Sequence, residues 1–399
     1  MNELTLGTPA PTRDHTRDHT TGFRDLPAHQ QPDWPDAEAL AAVLRGLPPE
    51  DLVDRASATE LKARLAGLES SGAVVLQLGD CVEDIDLDVA ADTADKLAFI
   101  DANRVRFGAH TGRPVVAVGR IAGQYAKPRS SSHEVVAGTL LPSYRGPIVN
   151  SPAASAEARQ ATPGRVATAH AAARTAAEVV RSFNRSRYRD EVVWTSHEML
   201  LLDYELHFLR EGAIDHHLAT THWPWIGART RQLDSAHVAV AATLTNPVSV
   251  KIGPDTSPDE AVEIALALNP YDEPGKLAFI VRMGHESIHL LRPIARRVRQ
   301  RVRNLHWITD PMHGNTVKAA GGLKTRHLDH VISEVRHFQR ILLDEGLRPA
   351  GLHLEATPDD VYECADNFQD PYDTTRYTSL LDPRLNPEQT ARVLDAWIA

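Results

Sequence analysis

Arg120, Arg229, Lys251 and Arg282 each stand at or just beyond the C-terminal end of a short β-branched or aromatic run, in a 399-residue chain of formal net charge -10. An acidic chain that gathers cations where strands end is arranged to hold an anionic small molecule there. Arginine grips phosphate or carboxylate with a planar bidentate fork, and lysine acts as a compact point charge. Lys127 and Arg129, in the loop Ala126-Lys-Pro-Arg-Ser-Ser, bring the set to six. That is more than one monoanion requires; two phosphorylated partners, or one phosphate with a carboxylate and a second phosphate, balance it.

Cys81, His313, Glu355 and Asp382 form a second group, the last in Leu381-Asp-Pro-Arg-Leu-Asn after the eighth helix. One thiolate, one imidazole and two carboxylates suit a divalent first-row metal such as Mn, Co, Fe or Zn, with a position left for a substrate oxygen. Taken singly, Cys81 also reads as a small buried hydrophobe and His313 as a hydrogen-bonded loop histidine. The joint reading gains because all four follow the ends of the first, seventh and eighth strand runs, or the helix after the eighth, which become neighbours once a barrel closes. Cys364 falls in an apparent helix at 361–364 and reads as packing.

The elements that must position these groups alternate in type. Strand runs are expected at 73–78, 114–118, 191–195, 222–226, 247–252, 277–281, 305–309 and 351–354, with helical spacing between them at 166–183, 259–268, 288–302 and 328–345. Fully apolar strands alternating with helices imply a parallel sheet, and eight repeats imply closure into a (β/α)8 TIM barrel. Its active site lies at the strand C-termini. Those ends read Gly79-Asp-Cys81, Arg120, Ser196-His-Glu198, Gly227-Ala-Arg229, Lys251, Arg282, Asp310-Pro-Met-His313 and Glu355. No Gly-x-Gly-x-x-Gly opens a helix after a strand, which removes the main dinucleotide-binding alternative.

Residues 37–67 carry the spacing of two amphipathic helices. The preceding stretch is rich in Pro, Thr, His and Asp, repeats Thr-Arg-Asp-His at 12–15 and 16–19, and reads largely as mobile or as an arm laid over a neighbour. The division expected is therefore an N-terminal arm and helices over 1–68 and a catalytic barrel over 69–399. With 42% hydrophobic and 24% charged residues the composition is that of a soluble globular protein. No apolar run is long enough for a membrane span and no secretory signal is evident, so the expected location is the cytoplasm. Two cysteines cannot build a disulfide framework, and the acidic balance argues against nonspecific nucleic-acid binding.

Several segments carry a resemblance: Gly79-Asp-Cys-Val-Glu, Gly119-Arg-Ile-Ala-Gly-Gln-Tyr-Ala-Lys-Pro-Arg-Ser, Tyr144-Arg-Gly, Trp225-Ile-Gly-Ala-Arg-Thr-Arg-Gln-Leu-Asp, Asn246-Pro-Val-Ser-Val-Lys, Arg282-Met-Gly, Asp310-Pro-Met-His-Gly-Asn-Thr, Lys324-Thr-Arg-His and Asp382-Pro-Arg-Leu-Asn. From about Gln31 to Asn386 the chain resembles the type II 3-deoxy-D-arabino-heptulosonate 7-phosphate (DAHP) synthases. That family condenses phosphoenolpyruvate with erythrose 4-phosphate, the first step of the shikimate pathway. The resemblance makes Cys81, His313, Glu355 and Asp382 the ligands of a divalent metal, Mn or Co first and Fe or Zn after them. It assigns phosphoenolpyruvate to Arg120, Arg229, Lys251 and Arg282, and places Lys127, Arg129 and Ser130 toward the sugar phosphate, with Glu198 and Asp310 in polar support. Lys127 is the expected proton donor near the aldehyde, with a metal-bound water as the alternative.

Departures from the family pattern refine these expectations. Ala228 stands where many members have Glu; its backbone N–H can still serve an anion. Pro147 replaces the acid after Tyr-Arg-Gly, and His285 replaces the Asn after Arg282-Met-Gly, which leaves room for a modified acceptor such as an amino-sugar phosphate. A catalytically silent, phosphate-binding scaffold is the other alternative. Leu381 occupies the place of a second cysteine, so a regulatory disulfide with Cys81 is not expected. The compact chain favours a dedicated enzyme of specialised metabolism with weak feedback control. The family also implies a homo-oligomer, read here as a dimer, and a possible chorismate mutase partner.

Overall fold

A computed structural model describes residues 21–136, 138–319, 322–367 and 374–398. Eight buried strands form one parallel sheet: β1 Val74–Gly79, β2 Val115–Arg120, β3 Val193–Thr195, β4 Trp225–Ile226, β5 Val248–Ile252, β6 Leu277–Val281, β7 His306–Thr309 and β8 Pro349–Glu355. Their order is β3-β2-β1-β8-β7-β6-β5-β4. The two ends meet just past β3: Trp223 N donates to Thr195 O at 3.1 Å, Trp225 N to His197 O at 3.0 Å and Met199 N to Trp225 O at 2.9 Å, with a parallel bridge between Glu198 and Trp225. The sheet is thus a closed (β/α)8 barrel, as the alternation of runs predicts.

Strand limits shift where the backbone cannot pair. The fourth run is expected from 222, but Pro224 has no N–H to donate and only Trp225–Ile226 joins the ladder. The third begins two residues late because Arg189–Glu191 coils into a 3-10 turn. Of the expected helix at 288–302, Ile288–Leu290 is 3-10 and only Leu291–Val298 is α-helical. Pro293, in the first turn, cannot make the bond that would carry the α-helix back to 289.

The longer helices are α1 Ala37–Arg45, α2 Arg55–Ala66, α3 Val89–Thr111, α4 Gly164–Arg185, α5 Ala236–Thr243, α6 Pro258–Leu268, α7 Leu291–Val298, α8 Leu328–Asp344 and α9 Pro387–Asp395. Capping boxes, Ser257 with Glu260 and Asn386 with Gln389, fix the starts of α6 and α9. The start of α9 corrects one expectation: Asp382 precedes the last helix, so it belongs to the loop that leaves β8. Residues 361–364 form no helix; Cys364 lies in that same extended loop, fully buried in the core. Among the described residues no helix is long and apolar enough to cross a membrane.

Alternate strand residues face two cores. Val74, Leu76 and Leu78 point to the surrounding helices, while Val75, Val116, Val118, Ala278 and Ile308 form an inner cluster with Leu61, Leu65 and Leu68. Helix α2 therefore plugs the N-terminal mouth of the barrel and leaves the opposite mouth for chemistry. Of the expected mobile arm, residues 1–20 lie outside the described residues. Residues 21–36 are strapped to their own barrel: Gln31 Nε2 donates to Leu200 O at 2.8 Å, Trp34 Nε1 to Asp203 Oδ2 at 3.1 Å, and Phe23 and Leu26 pack on the core.

Candidate active site

The C-terminal mouth is built by strand register. Gly79 pairs with Arg120 on one side and with Glu355 on the other, so the last residues of β2 and β8 flank the same point of β1. Gly79 has φ 150°, and a Cβ there would lie 2.8 Å from Arg120 O. Only glycine lets the chain turn inward here and bring Cys81 across the mouth.

Four side chains from three loops then converge on one cation, the ammonium of Lys127. Its Nζ lies 2.9 Å from Cys81 Sγ, 3.1 Å from His313 Nε2, 3.1 Å from Glu355 Oε1 and 2.9 Å from Asp382 Oδ2. His313 Nε2 is also 3.0 Å from Glu355 Oε1, and single donor atoms of Cys81, Glu355 and Asp382 lie within 4.8 Å of one another. Two donors on opposite sides of one first-row ion are separated by about 4–4.6 Å. The sulfur, nitrogen and oxygen donors therefore fit a divalent ion, and they are already gathered around a positive charge. Burial, reinforced by the Glu355 charge, pushes the Cys81 thiol up to about 12. It needs a cation alongside to ionise.

The flanking charges are closely balanced. Burial opposes ionisation of Glu355, yet His313, Lys127 and Arg326 together hold it well below the usual carboxylate range. Arg326 Nη2 donates to Glu355 Oε2 at 2.7 Å, Arg120 Nη2 to Oε1 at 3.1 Å, and Lys324 Nζ to Asp382 Oδ1 at 2.6 Å. Asp310 accepts from His313 Nδ1 at 2.7 Å and from Lys251 Nζ at 3.0 Å, which turns the other ring nitrogen toward the cluster. Burial lowers the Lys251 pKa, with Asp310 opposing the shift.

Sequence reasoning missed Arg326, fully buried beneath Glu355. The hairpin of Thr316–Lys318 with Lys324–Arg326 delivers it, and the alternation Lys324-Thr-Arg326, which puts both cations on one strand face, was the available signal. It also missed three buried glutamates. Glu83 accepts from the amides of Ala122, Gly123 and Gln124 at 2.8–3.0 Å. Glu334 of α8 accepts from Met283 N at 3.1 Å, Gly284 N at 3.0 Å and Asn315 Nδ2 at 2.6 Å. Glu363 accepts from Ser379 N and Arg384 N, both at 2.7 Å. Each clamps a loop that carries a site residue; for Glu334 the signal was a charge on the apolar stripe Val331, Val335, Phe338.

The remaining expected residues spread outward. Arg282 is half-buried and points toward the Gly253 backbone, and its guanidinium has no ion pair among the described residues. Arg229 is exposed, and Ala228 half-buried. Glu198 is buried, and its Oε1 has no hydrogen-bond partner among the described residues. Arg129 is held by Glu134 at 2.5 Å, and Ser130 is exposed. His285 stacks on His330, ring centroids 3.6 Å apart, and bonds Asn315, while Pro147 O accepts from Arg165 Nε at 2.6 Å.

Residues 18–192 and 185–396 match the model of the class-II DAHP synthetase family. A probable phospho-2-dehydro-3-deoxyheptonate aldolase of Pseudomonas fluorescens is 40% identical over 381 residues, covering 93% of this chain and 95% of that protein. The phospho-2-dehydro-3-deoxyheptonate aldolase of Streptomyces coelicolor is 37% identical, with 92% and 94% covered, and that of Mycolicibacterium smegmatis 36%, with 95% and 94% covered.

Proposed function

This chain belongs to the class-II DAHP synthetase family, and from that premise we infer that its barrel condenses phosphoenolpyruvate with erythrose 4-phosphate to give DAHP and inorganic phosphate, the first step of the shikimate pathway. The observation that carries the reading is the convergence of Cys81, His313, Glu355 and Asp382 on one cation position, with Lys251 held by Asp310 3.3 Å from His313 Nδ1. We propose these four as ligands of a divalent ion, manganese or cobalt first and iron or zinc as further candidates. When bound, such an ion supplies Lewis acidity toward an aldehyde oxygen.

The rest falls to the protein's own groups. Arg282 and Lys251 hold the phosphate and carboxylate of phosphoenolpyruvate, with Arg120 and, from the rim, Arg229 and the Ala228 amide completing the grip. Clamping both substrates by their anionic ends lays carbon 3 against the aldehyde carbon, so the reaction needs no further orientational search. Lys127, whose ammonium stands among the four donors in this structure, would yield that position when an ion is bound and, from beside it, give a proton to the aldehyde oxygen. Water adds at carbon 2 and phosphate leaves, and the negative charge that builds up meets cations already fixed by Asp310 and Glu355. Arg129 and Ser130 face the sugar phosphate, with Glu198 in support. In this reading residues 1–68 form an arm and a plug, and 69–399 the catalytic barrel.

The test is phosphate release from phosphoenolpyruvate with and without erythrose 4-phosphate. Release that requires the tetrose, with a seven-carbon product by mass, is expected. Release with an amino-sugar phosphate and not with erythrose 4-phosphate would move the acceptor assignment to the altered positions Pro147 and His285.

A further inference from the structure

We propose that His353 is a positioning residue that aims Arg120 through a one-way chain of hydrogen bonds ending on the Gly119 carbonyl. Arg120 is almost fully buried. Its Nε donates to Asp80 O at 2.9 Å, its Nη2 to Glu355 Oε1 at 3.1 Å and Cys81 O at 3.4 Å, and its Nη1 lies 2.5 Å from His353 Nε2. The guanidinium has five N–H hydrogens and no acceptor. One hydrogen, on Nη1, remains for a substrate, and its direction is set by the bond its twin makes to His353.

Every polarity along the chain follows from that. Arginine can only donate, so His353 Nε2 carries no hydrogen and Nδ1 must carry one. The atom facing Nδ1 at 2.7 Å is then the carboxamide oxygen of Gln77. That turns the Gln77 amide nitrogen toward Ser196 Oγ at 2.8 Å, and Ser196 sends its own hydrogen to Gly119 O at 2.9 Å. Gln77, Ser196 and His353 are all fully buried, so no solvent can reverse a link. Gly119 immediately precedes Arg120, and the chain returns to the strand that carries the guanidinium. The inference rests on the assignment of Arg120 to phosphoenolpyruvate, and it names residues that act through Arg120 and touch no substrate.

Two measurements test it on the full-length protein, the first loaded with diamagnetic zinc and the second with manganese. In protein with 15N-labelled histidine, the signal lost in His353→Asn is expected to be an Nδ1–H tautomer; an Nε2–H tautomer overturns the chain. Calorimetric titration with phosphoenolpyruvate is expected to give about tenfold weaker binding for His353→Asn and for Gln77→Leu, the loss of one charge-assisted bond. His353→Gln, whose oxygen reaches the place of Nε2, should retain most of the affinity. Equal loss in His353→Asn and His353→Gln, or wild-type affinity in all three variants, overturns the inference. Wild-type protein that binds phosphoenolpyruvate yet condenses it with no tetrose would overturn the proposed function and leave this chain intact.

Discussion

Cys81→Ser removes the softest donor of the cluster while keeping its size. Bound manganese after dialysis is expected to fall by about tenfold or more, and turnover with it. Full activity in a metal-free variant would sink the ligand assignment. Arg282→Ala should raise the KM for phosphoenolpyruvate roughly tenfold or more and lower kcat, because the same charge serves binding and the departing phosphate. Its metal content should stay at the wild-type level, and an unchanged KM would show that the anion lies elsewhere. The donors and cations were legible because such side chains, collected at strand ends, have few other uses. Arg326 was not legible as a contact of Glu355: it reaches the site on a hairpin whose return over the barrel mouth no local pattern specifies. The loop histidine was legible as a neighbour of the carboxylates, its Nε2 3.0 Å from Glu355 Oε1, whereas His353 was hidden inside an apolar strand run.

Buried glutamates govern the loops. Glu363 binds the amides of Ser379 and Arg384, and Arg384 reaches Asp80 at 2.7 Å, so the loop carrying Asp382 is tied to the turn carrying Cys81. Glu363→Gln sets an N–H against those donors and leaves Arg384 short of a partner. The variant should melt earlier and bind manganese more weakly, while its KM for phosphoenolpyruvate moves less than that of Arg282→Ala. Weaker phosphoenolpyruvate binding with unaltered manganese affinity would contradict this role. Strand runs and amphipathic helices were legible from their periods. The start of α6 was legible to within one residue, beside its cap Ser257, whereas the strand limit set by Pro224 and the helix that Asn386 caps were missed. The apparent helix at 361–364 was too short to carry a period and became an extended loop instead.

The plug and the barrel bottom set the stability of the molecule as a whole. Leu61 is fully buried between α2 and the inner strand faces, so Leu61→Ala should cost about 2–5 kcal/mol, seen as a lower Tm, with KM values unchanged. An unshifted Tm would mean that α2 is dispensable. Lys276 donates to the carbonyls of Ala241, Leu244 and Asn246, yet burial lowers its pKa from 10.5 to about 7. Above that value the folded state holds fewer protons than the unfolded one, so stability contributed here rises with pH through the window from 7 to 10.5. Lys276→Met should flatten that rise in denaturant titrations at pH 7 and 9; an unchanged slope would refute it. The closed barrel was legible from eight alternations. The use of α2 as a plug was not, because two helices ahead of a barrel can pack on any face.

The central claim is that four gathered donors make a metal site for this condensation. Chelator-treated protein should consume no phosphoenolpyruvate in the presence of erythrose 4-phosphate, and added manganese should restore consumption in proportion to the ion bound, up to one per chain. Consumption at full rate before any metal is returned, or none after one ion per chain is bound, would contradict the account.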